Sequence, residues 1–428
     1  MSSSVNTRKC EAAAPERSVA ADDAPSALTG PMTVFFAAAV GVIVMNLFAA
    51  QPLTGPISRS LHLAPGLTGL AATLPQLGYA AGLVLLVPLC DLVENRRLIV
   101  CVLGCCAACL ATAALAHSGT VFLLASFLAG ATSSVIQMLV PMAASMAPAH
   151  HRGRAVGNVM SGLMLGILLS RPAASLVTGL AGWRSFYLIA ALVDAILLVV
   201  LQARLPMRKP AVETTYPALL GSLVTLLRVE PVLQQNALSA SLVMGAFSAF
   251  WTAIGLRLGQ PPFGFGMNDL ALFALAGAGG VVVTPFAGRA GDRGIGRQVL
   301  FAGHVTMLAA WLVIGAAGAG WLGFSPGAHR AVAICLLAAG AIALDAGVVT
   351  DQTLGRRAIN LLSASARGRL NGLFVGAFFV GGALGAMLAG LAWTSAGWPG
   401  VCAIGFGFTG LAFVLRRVGP QTRDDVRL

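Results

Sequence analysis

Residues 151–162 read HRGRAVGNVMSG and residues 366–377 read ARGRLNGLFVGA. The two stretches superpose at an offset of 215, which lays Arg152, Gly153, Arg154 and Gly157 on Arg367, Gly368, Arg369 and Gly372. The same offset lays Gly182-Trp183 on Gly397-Trp398 and Gln137 on Gln352. So many Gly, Trp and polar coincidences at one offset mark an internal duplication. A second pair agrees with it. In PLCDLVENRRLI (88–99) and GRAGDRGIGRQV (288–299) an Asp ends an apolar run, Asp91 or Asp292, and an Arg follows five residues later, Arg96 or Arg297. The chain is two parallel halves.

What fills those halves is apolar. Charged residues make up 10% of the chain and hydrophobic ones 57%, with a mean hydropathy of +0.85, whereas a water-soluble domain carries about 25% charged residues. A bilayer core of about 30 Å is crossed by roughly 20 apolar residues in a helix. Twelve runs near that length recur: 31–51, 67–90, 98–116, 120–147, 155–180, 184–204, 234–257, 268–290, 298–320, 331–353, 368–394 and 397–417. The pattern predicts an all-α polytopic membrane protein with 12 transmembrane helices, arranged as two pseudo-symmetric six-helix bundles. Its parts are a disordered cytoplasmic tail (1–30), an N-terminal half (31–204), a cytoplasmic linker (205–233), a C-terminal half (234–417) and a cytoplasmic tail (418–428). Within the linker, the apolar stretch 218–227 is too short to span. It reads either as an amphipathic helix on the membrane surface or as an ordinary loop.

The net charge of +12 raises the possibility of nucleic acid, but its distribution argues for topology. With the N-terminus inside, 22 of the 27 Lys and Arg fall in inside loops and tails, and only Arg59, Arg184, Arg257 and Arg330 fall outside. That bias is the positive-inside rule, and it places both termini in the cytoplasm. The use of 25 Arg against two Lys, with abundant Ala and Gly, suggests a GC-rich bacterial genome and hence a bacterial inner membrane. LFAAQP (47–52) resembles a signal-peptide cleavage site, yet the apolar run before it starts only after 30 polar residues, so an uncleaved first span is expected. Cys106 and Cys109 form a Cys-x-x-Cys inside an apolar run with no His or acid nearby, a packing feature rather than a metal or redox site. No Gly-x-x-x-x-Gly-Lys-Ser/Thr, His-Glu-x-x-His or Gly-x-Ser-x-Gly occurs. Catalysis, a cofactor and a bound metal are not expected.

Two six-span halves related by an axis along the membrane normal are the major facilitator architecture, with the substrate site between them at the midplane. The sequence resembles that superfamily in detail. Gly288, Asp292, Arg293, Gly296 and Arg297 are similar to its signature Gly-x-x-x-Asp-Arg-x-Gly-Arg-Arg, with one extra residue before the final Gly-Arg. The first copy keeps Asp91, Arg96 and Arg97 but has Val87 for the leading Gly and Leu92 for the first Arg. NLFAAQPL (46–53), QLGYAAGLVLLVPLCDLVENRRL (76–98) and HRGRAVGNVMSGLMLGILLSRP (151–172) resemble bacterial drug and sugar efflux members. The resemblance implies that Asp91, Arg96, Arg97, Gly288, Asp292, Arg293 and Arg297 form a conformational latch against the opposite half; the alternative leaves the arginines as topology signals only.

Ionisable and amide groups at membrane depth are costly and mark function. Asp345 lies roughly 22 Å from Arg330 and about 16 Å from Arg356 along a helix, near the midplane of span ten, which the resemblance places on the central cavity. A carboxyl there can load and release a proton, which makes Asp345 the candidate for proton coupling, or it is a hydrogen-bonded structural group. Gln137, Gln352, Asn46, Gln51, Gln76 and Arg171 are candidates for the substrate cavity. Arg171 and Asp194 stand 11 residues before and 12 after Gly182, at one depth in a helical hairpin. They read either as a buried ion pair or, for Arg171, as a cavity group that attracts an anion. Gly162, Gly166 and Pro172 loosely resemble an antiporter motif, with Ala173-Ala174 where a Gly pair is usual. Gly381, Gly382 and Gly385 read as a helix-packing face.

The expected function is a secondary active transporter that exports a small organic molecule (drug, sugar or metabolite) by proton antiport with alternating access. Its partners are that substrate, protons and the lipid bilayer, and it works as a monomer. The alternatives are an importer or facilitator on the same fold, or a non-transporting membrane sensor.

Overall fold

The computed structural model describes residues 30–147, 152–207, 215–277, 283, 286–290, 293–363 and 366–418. Residues 1–29, residues 419–428 and Asp292 lie outside them, while Gly30 and Val418, expected in the tails, are the ends of helices. Among the described residues ten helices are long and apolar enough to cross a bilayer. In chain order the helices are α1 (Gly30–Phe48), α2 (Ala50–Ser60), α3 (Leu70–Leu85), α4 (Asn95–Leu115), α5 (Gly119–Thr132), α6 (Ile136–Met146), α7 (Arg152–Ala181) and α8 (Trp183–Arg204). They continue as α9 (Tyr216–Val229), α10 (Pro231–Leu258), α11 (Met267–Ala274), α12 (Gly296–Ala319), α13 (Arg330–Asn360) and α14 (Arg367–Val418). The eighth expected span, 268–290, is described only in pieces, as α11, a short turn to Gly277, Val283 and residues 286–290.

The duplication is built into the backbone. α14 is 52 residues long because two spans meet at Gly397, whose φ of 62° and ψ of −149° break the helix. Gly182, its counterpart 215 residues earlier, separates α7 from α8 with φ 84° and ψ 161°. Both glycines occupy a region that side chains all but exclude. The Trp after each is buried: Trp183 lies edge-on to Phe122 with ring centroids 5.4 Å apart, and Trp398 Nε1 donates to the Ile314 carbonyl at 3.3 Å. Gly397→Ala is expected to lower stability by about 1–3 kcal/mol. A thermal unfolding midpoint of the detergent-purified protein checks it, with the lipid-side Gly407→Ala as the neutral comparison.

Proline sets the end of the first span. Pro52 has no N–H for the carbonyl of Phe48, so α1 stops there and α2 restarts at Ala50. The helix then runs on to Ser60, past the expected end at 51, and brings Arg59 with it.

The two halves close on one another at the end that carries Arg59, Arg184, Arg257 and Arg330. Thr54 Oγ1 in α2 donates to the Thr252 carbonyl in α10 at 3.4 Å, and Thr73 Oγ1 in α3 donates to the Ala383 carbonyl in α14 at 3.2 Å. Gly69, just before α3, sits so near α14 that a Cβ on it would stand 2.7 Å from the Ala386 carbonyl oxygen. Toward the opposite, Arg-rich end, the linker supplies a helix, α9, whose Tyr216 Oη donates to the Leu85 carbonyl at the end of α3 at 2.9 Å.

Candidate functional site

Between the halves, at mid-depth, lies a cavity of about 100 Å³. Span ten furnishes one wall. Asp345, Val348, Gln352 and Arg356 of α13 recur at helical spacing, and all line it. Tyr79 of α3, Gln137 of α6 and Arg171 of α7 face them from the N-terminal half, and phenylalanines from both halves (Phe48, Phe247, Phe378, Phe379) complete the lining. Gln137 sits one turn before Pro141, whose missing N–H leaves the Gln137 carbonyl without its usual helical partner.

One chain of contacts crosses the seam. Arg171 is 2% exposed, and its Nε donates to Gln51 Oε1 at 2.8 Å. Its guanidinium lies 4.4 Å from the ring centre of Trp251, 4.8 Å from Phe247 and 5.4 Å from Phe48. A cation held in low dielectric against three ring faces is stabilised by their quadrupoles. Trp251 Nε1 in turn donates to Asp345 Oδ1 at 3.1 Å. The Trp251 indole thus carries the arginine of one half on its face and the carboxylate of the other half on its edge. Gln51 Nε2 and Arg171 Nη2 are buried without hydrogen-bond partners among the described residues.

Several expected positions turn elsewhere. Arg171 and Asp194 make no ion pair; they share a depth but point to different sides of their hairpin. Asp194, fully buried, accepts from Asn46 Nδ2 at 3.1 Å, with Cys106 beside Asn46. Asn46 is therefore occupied inside the N-terminal half and does not line the cavity. Gln76 lies in the seam: Ser248 Oγ in α10 donates to its Oε1 at 3.1 Å, and its Nε2 donates back to the Ala72 carbonyl. Gln137 Nε2 donates to Tyr79 Oη at 3.2 Å, while Gln352 makes no hydrogen bond among the described residues. Gly162 and Gly166 are packing positions: a Cβ on either would strike the backbone of α1, at Ala37 and Gly41.

The described residues expected to form the latch sit at the Arg-rich end. Asp91 closes a short 3-10 turn (Val87–Asp91), is exposed, and has no hydrogen bond or ion pair among the described residues. Arg97, Arg293 and Arg297 are exposed too, Arg96 is half-buried, and Gly288 lies in the helical stretch 286–290. Within PLCDLVENRRLI the unforeseen role belongs to Glu94. It caps α4 by accepting from the backbone N–H of Arg96 and of Arg97, each at 2.8 Å.

The sequence does not single out Tyr79 and Arg356 in the cavity, Trp251 between Arg171 and Asp345, or Asp351 behind the lining. The signal for Arg356 was there: it lies eleven residues after Asp345 and four after Gln352, on one helical stripe. The positive-inside count absorbs it because the apolar run of span ten ends at 353, whereas α13 continues to Asn360.

Comparison with known proteins agrees with this architecture. The family model of the Major Facilitator Superfamily matches residues 34–359. The chain is 35% identical over 382 residues to the transporter YgaY of Escherichia coli (strain K12), a match spanning 88% of this chain and 93% of that one. It is 34% identical over 382 residues to the transporter SCO4007 of Streptomyces coelicolor, spanning 89% and 85%. In fold it is similar to a mutant of the nucleoside transporter NupG, with a TM-score of 0.66 at 15% identity, covering 89% of this chain and 98% of that one. With the duplicated bundles, the seam and the mid-depth cavity, these matches establish that the chain belongs to the Major Facilitator Superfamily and is a multi-pass membrane transporter.

Proposed function

We propose that this transporter exports a small organic molecule, a drug, sugar or metabolite, across the bacterial inner membrane in exchange for protons. The observation that carries the reading is the position of Asp345, a buried carboxyl lining the cavity and joined through Trp251 to Arg171 of the other half. A proton on Asp345 removes the negative charge that Arg171 faces across the seam, and with it a force that holds the halves together. Protonation and rocking are then linked. The cavity as it stands is smaller than the roughly 300–1,000 Å³ of an ordinary small-molecule site, so the halves must part to admit a solute. With both termini cytoplasmic, Asp91, Arg96, Arg97, Gly288, Arg293 and Arg297 lie at the cytoplasmic end, and Asp292 belongs to the same set by sequence. There they serve as the latch that closes when the opposite end opens.

Proton movement in proteoliposomes tests this, with an internal pH dye and a panel of sugars, amino acids and lipophilic cations. At least one compound, placed on the side opposite a proton gradient, is expected to drive protons in the opposite direction, and Asp345→Asn to cut that flux at least tenfold. Solute movement with no change of pH in either protein would make the chain a facilitator. Protons and solute moving together would reverse the proposed exchange.

A further inference from the structure

The charges lining the cavity do not balance. Among the described residues its charged lining consists of Arg171, Asp345 and Arg356. Asp345 answers Arg171 across the Trp251 ring. Arg356 has nothing comparable: it makes no hydrogen bond or ion pair among the described residues, and its Nε is buried without a partner. It stands about 16 Å from Asp345 along α13, too far to share that carboxylate. The polar groups around it can each donate. Tyr79 already accepts from Gln137, which leaves its own O–H to donate, and the Gln352 amide lines the cavity unpaired. The rest of the lining is aromatic and aliphatic, with Tyr79 and Phe379 rings 4.5 Å apart.

We propose that the transported solute is an organic anion, one acidic group on an apolar or aromatic body, with the acidic group taken by Arg356, Tyr79 and Gln352. A guanidinium without a counter-ion is costly in low dielectric, and a ligand that supplies the anion recovers that cost through charge-assisted hydrogen bonds. A cationic solute meets the reverse: two arginines against one carboxylate. The inference rests on the cavity being the transport site.

The test uses the purified full-length protein and three probes of one shape: naphthalene-2-sulfonate, 2-naphthyltrimethylammonium and neutral 2-naphthyl methyl ether, with benzenesulfonate and phenyl phosphate as further anions. Binding is read as the shift in thermal unfolding midpoint. Anions are expected to raise it by about 2 °C or more at saturation, the cation and the ether not at all. Arg356→Gln is expected to weaken the anion effect at least tenfold in concentration, and Arg356→Lys to restore part of it, each unfolding near the parent in the absence of probe. A shift by the cation, no shift by any of the anions, or an anion shift unchanged in Arg356→Gln would overturn the assignment. Radiolabelled naphthalene-2-sulfonate in proteoliposomes separates this from the transport reading. If the anion binds through Arg356 yet does not cross, the site stands as an anion site and the cavity is not the transport path.

Discussion

Gly381→Leu is expected to leave almost no folded transporter in the membrane. A Cβ at Gly381 would collide with the backbone carbonyl of Ser241 in α10, and one at Gly385 with the backbone of Gly245. A side chain could swing aside; a helix backbone cannot do so without parting the two helices along their length. In lipid that loss is severe, because helices gain little from hiding apolar surface and associate through close packing. The cost is set at or above the roughly 3 kcal/mol upper end of ordinary overpacking. The same contact is repeated in the N-terminal half, where Gly166, 215 residues before Gly381, meets the Gly41 carbonyl. Gly166→Leu is therefore expected to match Gly381→Leu. Gly407→Leu, with nothing within 4 Å of its would-be Cβ, is expected to behave as the parent. Detergent extraction and the monodisperse fraction on size exclusion read the outcome. Recovery of Gly381→Leu at the level of Gly407→Leu would show that the α10–α14 contact does not hold the bundle together.

That contact also shows what the sequence could and could not tell. Depth along a membrane helix is a matter of counting residues, so the repeat at 215, the Gly-Trp corners and the mid-membrane position of Asp345 were all legible. Rotation about the helix axis was not. In a water-soluble helix the polar face marks the outside, but lipid is as apolar as a protein core, and the spans carry no such mark. Asn46 and Gln76 have the depth of cavity groups and turn instead to Asp194 and Ser248. Arg171 and Asp194 share a level and face apart. Arg356 and Arg416 were hidden for a different reason: a rule that explains every basic residue near a helix end as topology leaves none over to be noticed.

Arg416 belongs to a polar knot in the C-terminal half, and removing its anion is expected to cost the protein about 3–5 kcal/mol. Asp351 is 1% exposed. Its Oδ2 accepts from Ser239 Oγ at 2.7 Å, lies 3.1 Å from His304 Nε2 and 3.5 Å from Arg416 Nη2. Arg416 also donates from Nε to Ser239 Oγ at 2.9 Å and from Nη1 to Asn236 Oδ1 at 3.0 Å. Helices α10, α12, α13 and α14 are thereby tied to one carboxylate. Asp351→Ala leaves the half-buried Arg416 without a counter-charge, whereas Asp351→Asn keeps an acceptor for Ser239 and is expected to cost less. Arg416→Leu strands the carboxylate, but the double variant, Asp351→Ala with Arg416→Leu, strands neither, so the two losses are expected to fall short of adding by about 1–3 kcal/mol. Unfolding midpoints of the four proteins close that cycle, and strict additivity would dissolve the knot as an energetic unit. The consequence reaches the cavity. Asp351 precedes Gln352 directly and fixes the rotation of α13, so the stripe of Asp345, Gln352 and Arg356 faces inward because Asp351 is held facing away. Transport by Asp351→Asn, measured where the protein is still folded, is therefore expected to fall even though Asp351 does not line the cavity.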